Sequence, residues 1–306
     1  MANLFTLVGP CSTYDLDSML AEAIKMATNA QTQIGAVTSG AIAPLTTKAR
    51  IANNAQNMFS TDTKWNLVLD STSKGSLSTV SGVYGNLLSA IQNGANLGPA
   101  TNFFICTDET LEYVNDPSML GPVPANSNDE ITLYGGAVWT DKTLRDANDV
   151  VKFVIYPPAG TTPICSQDGG RTAAQTFIPT NLAINKPSNI MIFCPGVWDT
   201  TKVKTSLVPY QGDYFKSGDK ASPDDYRSLP GVFIHEMLHL LYPQVFSDKP
   251  MRDRSGTSVI AYNFDLCFDL ARLDLDDALK NPDNYRLFAE GCFLPNVRWM
   301  AAAPTS

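Results

Sequence analysis

Histidine is nearly absent from this chain, at 2 of 306 residues. Long hydrophobic runs, a surplus of positive charge and cysteine pairs at metal-binding spacing are absent too. Each absence closes a class of function. The longest apolar stretches, such as Gly231 to Tyr242, fall well short of the roughly 20 residues that span a bilayer, so no transmembrane segment is expected. With 22 Lys plus Arg against 30 Asp plus Glu and a net charge of −8, the chain repels phosphate backbones and anionic lipid. That disfavours an electrostatically driven nucleic-acid or membrane role. The glycine pairs in Tyr134-Gly135-Gly136 and Asp168-Gly169-Gly170 lack the strand-to-helix context of a phosphate cradle and read as turns.

What is present is a globular composition, 44% apolar and 17% charged, over a length sufficient for a full core. From Tyr14 to about Ile91 the apolar period is helical, as in Leu16, Leu20, Ala23 and Met26. Short β-rich runs follow at Phe103 to Cys106, Ile131 to Val138, Val150 to Tyr156 and Ile190 to Cys194. The helical period returns in Gly231 to Tyr242, Ala261 to Leu279 and Asn284 to Glu290. This order predicts an α+β fold in one domain: helical over about 1–100, sheet over about 101–200, helical again over about 229–292. The first two of these helices are expected at about 231–242 and 259–279. Leu4 to Val8 is apolar, but no basic residue precedes it and no small-residue cleavage site follows, so it is not a signal peptide. Six widely spaced cysteines, even in number, predict three disulfides and a secreted chain whose leader has been removed.

Both histidines fall in one segment, His235-Glu236-Met237-Leu238-His239. On a helix, residues four apart share a face, so the two imidazoles can meet one Zn²⁺ with Glu236 about 100° round the axis beside them. Zinc polarises a scissile carbonyl and acidifies its bound water, and the glutamate moves the proton. With 2 His and 6 Glu in the chain, chance matches to this pattern number about 3 in 10,000, which makes it specific. The flanking residues are apolar all round, so the helix is expected to be buried, where ionisable groups need partners.

A zinc site needs a third protein ligand. No third histidine exists, the position six residues after His239 is Val245, and the only glutamate after Glu236 is Glu290. An aspartate remains, from Asp248, Asp253, Asp265, Asp269 or the later group ending at Asp283.

The helix motif, followed by Gly256-Thr257-Ser258-Val259-Ile260-Ala261-Tyr262-Asn263, Cys267 and Asn281-Pro282-Asp283-Asn284-Tyr285 through Phe288-Ala289-Glu290, resembles the deuterolysin-like aspzincin metalloendopeptidases. The likeness covers about residues 188–292. It implies a zincin-like fold, a zinc cofactor held by His235 and His239, Glu236 as general base, and Tyr262 as the hydroxyl that stabilises the oxyanion. It also implies a peptide or protein substrate. Asp283 matches an acid that favours Lys or Arg after the scissile bond; on its own residues it reads equally well as a helix N-cap. The family's aspartate ligand falls on Val259, which cannot bind zinc. Either another aspartate such as Asp253 or Asp265 takes its place, or the chain is an inactive relative that serves as a binding or effector module.

Overall fold

The computed structural model describes residues 1, 3–38, 45–60, 71–95, 97, 101–116, 119, 138–155, 160–170, 172–178, 188–212, 222–253 and 255–296. The architecture is α+β. Its chain divides into two compact units, each assembled from two stretches of sequence: Met1–Asp15 with Leu97–Asp199, and Leu16–Asn96 with Thr200–Ser306.

The first unit holds strands β1 (Thr6–Val8), β2 (Thr101–Ile105), β3 (Glu112–Val114), β4 (Val138–Thr140), β5 (Ala174–Phe177) and β6 (Ser188–Phe193). Its main sheet runs β1-β2-β6-β5, parallel across the first three and antiparallel at β5; β3 and β4 form a separate antiparallel pair. The unbroken apolar runs in β2 and β6 arise because both side-chain parities are buried. Phe103, Ile105, Ile190 and Ile192 join one cluster with Val8, Trp139 and Phe153, while Phe104, Met191 and Phe193 of the other parity are also inaccessible. The apolar run at Leu4 to Val8 supplies β1. Of the strand expected at 131–138, residues 131–137 lie outside the described set, and Val138 opens β4. Of the strand expected at 150–156, residue 156 lies outside the described set, and residues 150–155 make only two isolated bridges, Trp139 with Ile155 and Arg145 with Val151. Asp149 beside it takes φ +61, a left-handed conformation that no regular strand can contain.

Two disulfides stand in this unit, Cys11–Cys106 and Cys165–Cys194. They close loops of 95 and 29 residues in sequence separation, worth about 4.7 and about 3.6 kcal/mol in a chain-entropy account. The expected third bridge does not form: Cys267 and Cys292 are free and buried. Each thiol has its own polar neighbours, Cys267 donating to the Ala261 carbonyl at 3.2 Å and Cys292 lying 3.9 Å from Asn54 Nδ2. Burial pushes the Cys292 thiol up to about 12 and that of Cys267 well above its usual range, so both are inert while folded. Thiol titration of the unreduced chain in denaturant should therefore return two equivalents, rising to six after reduction; zero before reduction would mean a third bridge.

The second unit holds α1 (Leu16–Thr38), α2 (Leu45–Phe59), α3 (Ser71–Asn93), α4 (Leu229–Leu241), the antiparallel hairpin β7 (Pro250–Arg252) and β8 (Ser258–Ile260), α5 (Phe264–Leu273), α6 (Leu275–Ala278) and α7 (Pro282–Phe293). Met19, Ala23, Met26, Ala27, Ala30 and Ile34 bury one face of α1 at three- and four-residue steps. That helix packs on α3, α4 and α7. Every residue of α7 is buried. The small residue Gly231 lets α4 approach α7, since a Cβ there would overlap the Glu290 carboxylate. No helix among the described residues is long and apolar enough to cross a membrane.

The expected helix over 259–279 is corrected at its start and divided in the middle. Val259 pairs with Met251 in the β7–β8 hairpin. The turn is set by Gly256 at φ +81 and by Asp253, whose Oδ1 accepts from Ser255 N and Thr257 N at 2.9 Å each. The helix begins only where Asn263 caps it, accepting from Leu266 N at 2.9 Å. Asp274 ends it and caps α6 in turn.

Candidate metal centre

Ser228 caps α4, its hydroxyl accepting from Gly231 N at 3.1 Å, with Pro230 in the first turn. The apolar residues on every side of this helix bury it, and they carry His235 and Glu236 inside with them. After the helix stops at Tyr242, the amides of Val245 and Phe246 both donate to the Tyr242 carbonyl at 2.9 Å and turn the chain back. The buried Phe246 ring seats against Tyr242 and Tyr285. On either side of Asp248, Ser247 N donates to the Lys280 carbonyl at 3.3 Å and Lys249 N to Asn281 Oδ1 at 3.4 Å. These bonds hold the Asp248 carboxylate over the two histidines.

Three atoms converge there. His235 Nε2 lies 3.1 Å from His239 Nε2, and each lies 3.2 Å from Asp248 Oδ1. Among the described residues this is the group of three that could hold a metal ion. The other candidates are placed elsewhere: Asp253 is spent on its own turn, Asp265 sits in the first turn of α5 and Asp269 further along it. Val259, aligned with the family's ligand, is part of a strand.

The protons decide what such a triangle can hold. His235 Nδ1 faces Asp283 Oδ1 at 3.0 Å and His239 Nδ1 faces the Phe246 carbonyl at 3.4 Å. A carboxylate and a carbonyl only accept, so each Nδ1 carries a hydrogen, and each ring in its neutral form turns the lone pair of Nε2 inward. With Asp248 Oδ1, three electron-rich atoms then face one another. Burial opposes a charge on His235, but Asp283, Asp248 and Glu236 outweigh it and raise the imidazole to about 10, so its surroundings favour positive charge, which either a proton or a metal ion on Nε2 supplies. A proton on one nitrogen leaves the other two atoms opposed at 3.2 Å, whereas a metal satisfies all three. The edges fit: a tetrahedral ion with bonds of about 2.0–2.1 Å has ligand-to-ligand edges of about 3.3–3.4 Å and keeps a fourth position open.

Glu236, 4% exposed, places Oε1 3.9 Å from His235 Nε2. Tyr262 is 45% exposed, and its hydroxyl donates to Asp248 Oδ2 at 2.8 Å. Burial and the Asp248 charge push that phenol above its usual range, so it remains a donor. The N-cap of α7 is Asn281, and Asp283 lies in the first turn of that helix. It is 2% exposed and turned to His235 and to Arg286 Nε. Burial would raise it, yet Arg286 and His235 hold it at about 2.

Arg286 and Glu290, to which the sequence motifs assign no role, join this network. Arg286 Nη1 donates to Glu290 Oε2 at 2.8 Å, and Glu290 Oε1 accepts from the Ser228 amide and hydroxyl at 3.0 and 2.9 Å. The available signal was Asp283, Arg286 and Glu290 spaced three and four apart on a helix short of other charge. Burial lifts Glu290 to about 7 against the pull of Arg286 and Ser228. With the folded value above the unfolded one, its contribution to stability is full below a pH of about 4.5 and is lost as pH rises through about 7, by up to about 1.4 kcal/mol per unit. Glu290→Gln should flatten the melting temperature between about pH 5 and pH 7; an unchanged slope would place that titration elsewhere.

No protein-family model, no curated protein and no solved structure matches this chain.

Proposed function

We propose that the chain is a zinc-dependent endopeptidase, a divergent zincin of the deuterolysin-like aspzincin kind in which Asp248 replaces the ligand missing at Val259. The observation that carries this reading is the convergence of His235 Nε2, His239 Nε2 and Asp248 Oδ1 within 3.2 Å, with Glu236 beside them. Zinc bound there supplies Lewis acidity, polarising a peptide carbonyl and lowering the pKa of water. Glu236 accepts the proton of the attacking water and returns it to the leaving amine. The Tyr262 hydroxyl, half open to solvent, releases Asp248 Oδ2 to donate its one hydrogen to the oxygen on which charge develops. Asp283 holds the His235 ring through Nδ1, the carboxylate–histidine arrangement common at zinc sites.

The two disulfides fit an oxidising compartment, and we assign the protein to the secreted class, acting on a peptide or protein substrate. The test is cleavage of an unfolded protein by the purified chain, stopped by a chelator and restored by added zinc. A zinc-loaded chain that cleaves nothing would instead favour the binding or effector role.

A further inference from the structure

One guanidinium touches both halves of the metal site. Arg286, 1% exposed, donates from Nε to Asp283 Oδ1, the atom that also faces His235 Nδ1. From Nη2 it donates to the Tyr262 carbonyl at 3.0 Å, and from Nη1 to Glu290 Oε2 at 2.8 Å. His235 stands on α4 and Tyr262 on the segment between β8 and α5. The same cation therefore fixes the carboxylate that aims one ligand and the backbone of the residue whose hydroxyl holds Asp248 Oδ2. Asp283 Oδ2 is buried with no hydrogen-bond partner among the described residues, so the aim of this carboxylate rests on Oδ1 and on Arg286.

Resting on the proposed metal site, we infer that Arg286 is a positioning residue which holds His235 and Asp248 at ligand distance from one another. A planar fork donating in three directions does this; an ammonium at the same place is a point charge that cannot span the three acceptors. Glu290 meets the same guanidinium at Nη1 and otherwise bonds Ser228 at the start of α4, which makes it the control for disturbing the same buried network away from Asp283 and Tyr262.

The test is zinc affinity by competition with a chromophoric chelator, together with the visible spectrum of the Co²⁺-loaded chain. It compares wild type, Arg286→Lys and Glu290→Gln, with melting temperatures recorded for each. Arg286→Lys should bind zinc about 10- to 100-fold more weakly, the range that outer partners of metal ligands command, and shift the Co²⁺ bands. Glu290→Gln should bind nearly as wild type even where it melts lower. Equal affinities for Arg286→Lys and wild type, or losses that only track melting temperature across both variants, overturn the inference. No zinc bound by wild type overturns the metal site itself. If Arg286→Lys does not fold, arginine-labelled wild-type protein carries the test by nuclear magnetic resonance. The Arg286 Nε–H signal should move on zinc binding, with a His239→Ala control that does not respond, and a wild-type signal that stays in place overturns the inference.

Discussion

Asp248→Ala should weaken zinc binding by more than about a hundredfold, beyond the 10- to 100-fold that outer partners of a metal ligand command. Two imidazoles remain in the variant, but the atom that closes the triangle is gone. The Asp248 carboxylate, which against burial two hydrogen-bonded histidines hold ionised well below its usual range, takes its negative charge with it. The hydroxyl of Tyr262 also loses its acceptor. The fold should survive, because Asp248 is partly exposed on a connection between α4 and β7 and its neighbours Ser247 and Lys249 are held through their own amides. Competition titration of zinc into wild type and variant reads the effect directly. By contrast, Asp253→Ala and Asp265→Ala should leave zinc affinity unchanged, since one carboxylate closes a hairpin turn and the other sits in the first turn of α5.

Glu236→Gln separates binding from chemistry. The side chain is 4% exposed, so an isosteric amide keeps the packing of α4 while losing the ability to take a proton. Turnover should fall by about 10²- to 10⁴-fold, the share that a positioned general base supplies. Zinc stoichiometry should stay at the wild-type value. Steady-state kinetics on a peptide the wild type cleaves, run beside a metal assay on the same samples, checks both halves. Residual activity within a few-fold of wild type would remove Glu236 from the proton's path.

The helix that carries both histidines could be read from the sequence because its signals are local. His235 and His239 share a face through helix periodicity alone, and Ser228, Pro230 and the apolar flanks mark where the helix starts and that it is buried. The α+β order and strands β2 and β6 followed from equally local patterns. The third ligand could not be chosen locally. Asp248 meets the histidines through a turn after Tyr242, through Phe246 seated on Tyr285, and through bonds from Ser247 and Lys249 to Lys280 and Asn281, more than thirty residues on. No spacing rule expresses those contacts. The helix expected from Val259 failed for a related reason: residues 258–260 gain more from pairing with β7 than from the helical period that begins at Phe264. Cysteine parity misled because Cys267 and Cys292 are core residues whose thiols are satisfied by a carbonyl and an amide. Asp283 looked equally like a cap and a pocket acid; only its contact with His235, 48 residues away, identifies what it holds.

The most direct measurement is the zinc content of the purified wild-type chain after equilibration with zinc and dialysis, beside His239→Ala and Asp248→Ala. About one zinc per wild-type chain and close to none in either variant is the expected result. No zinc in wild type, or zinc retained by Asp248→Ala, would contradict a centre built from His235, His239 and Asp248.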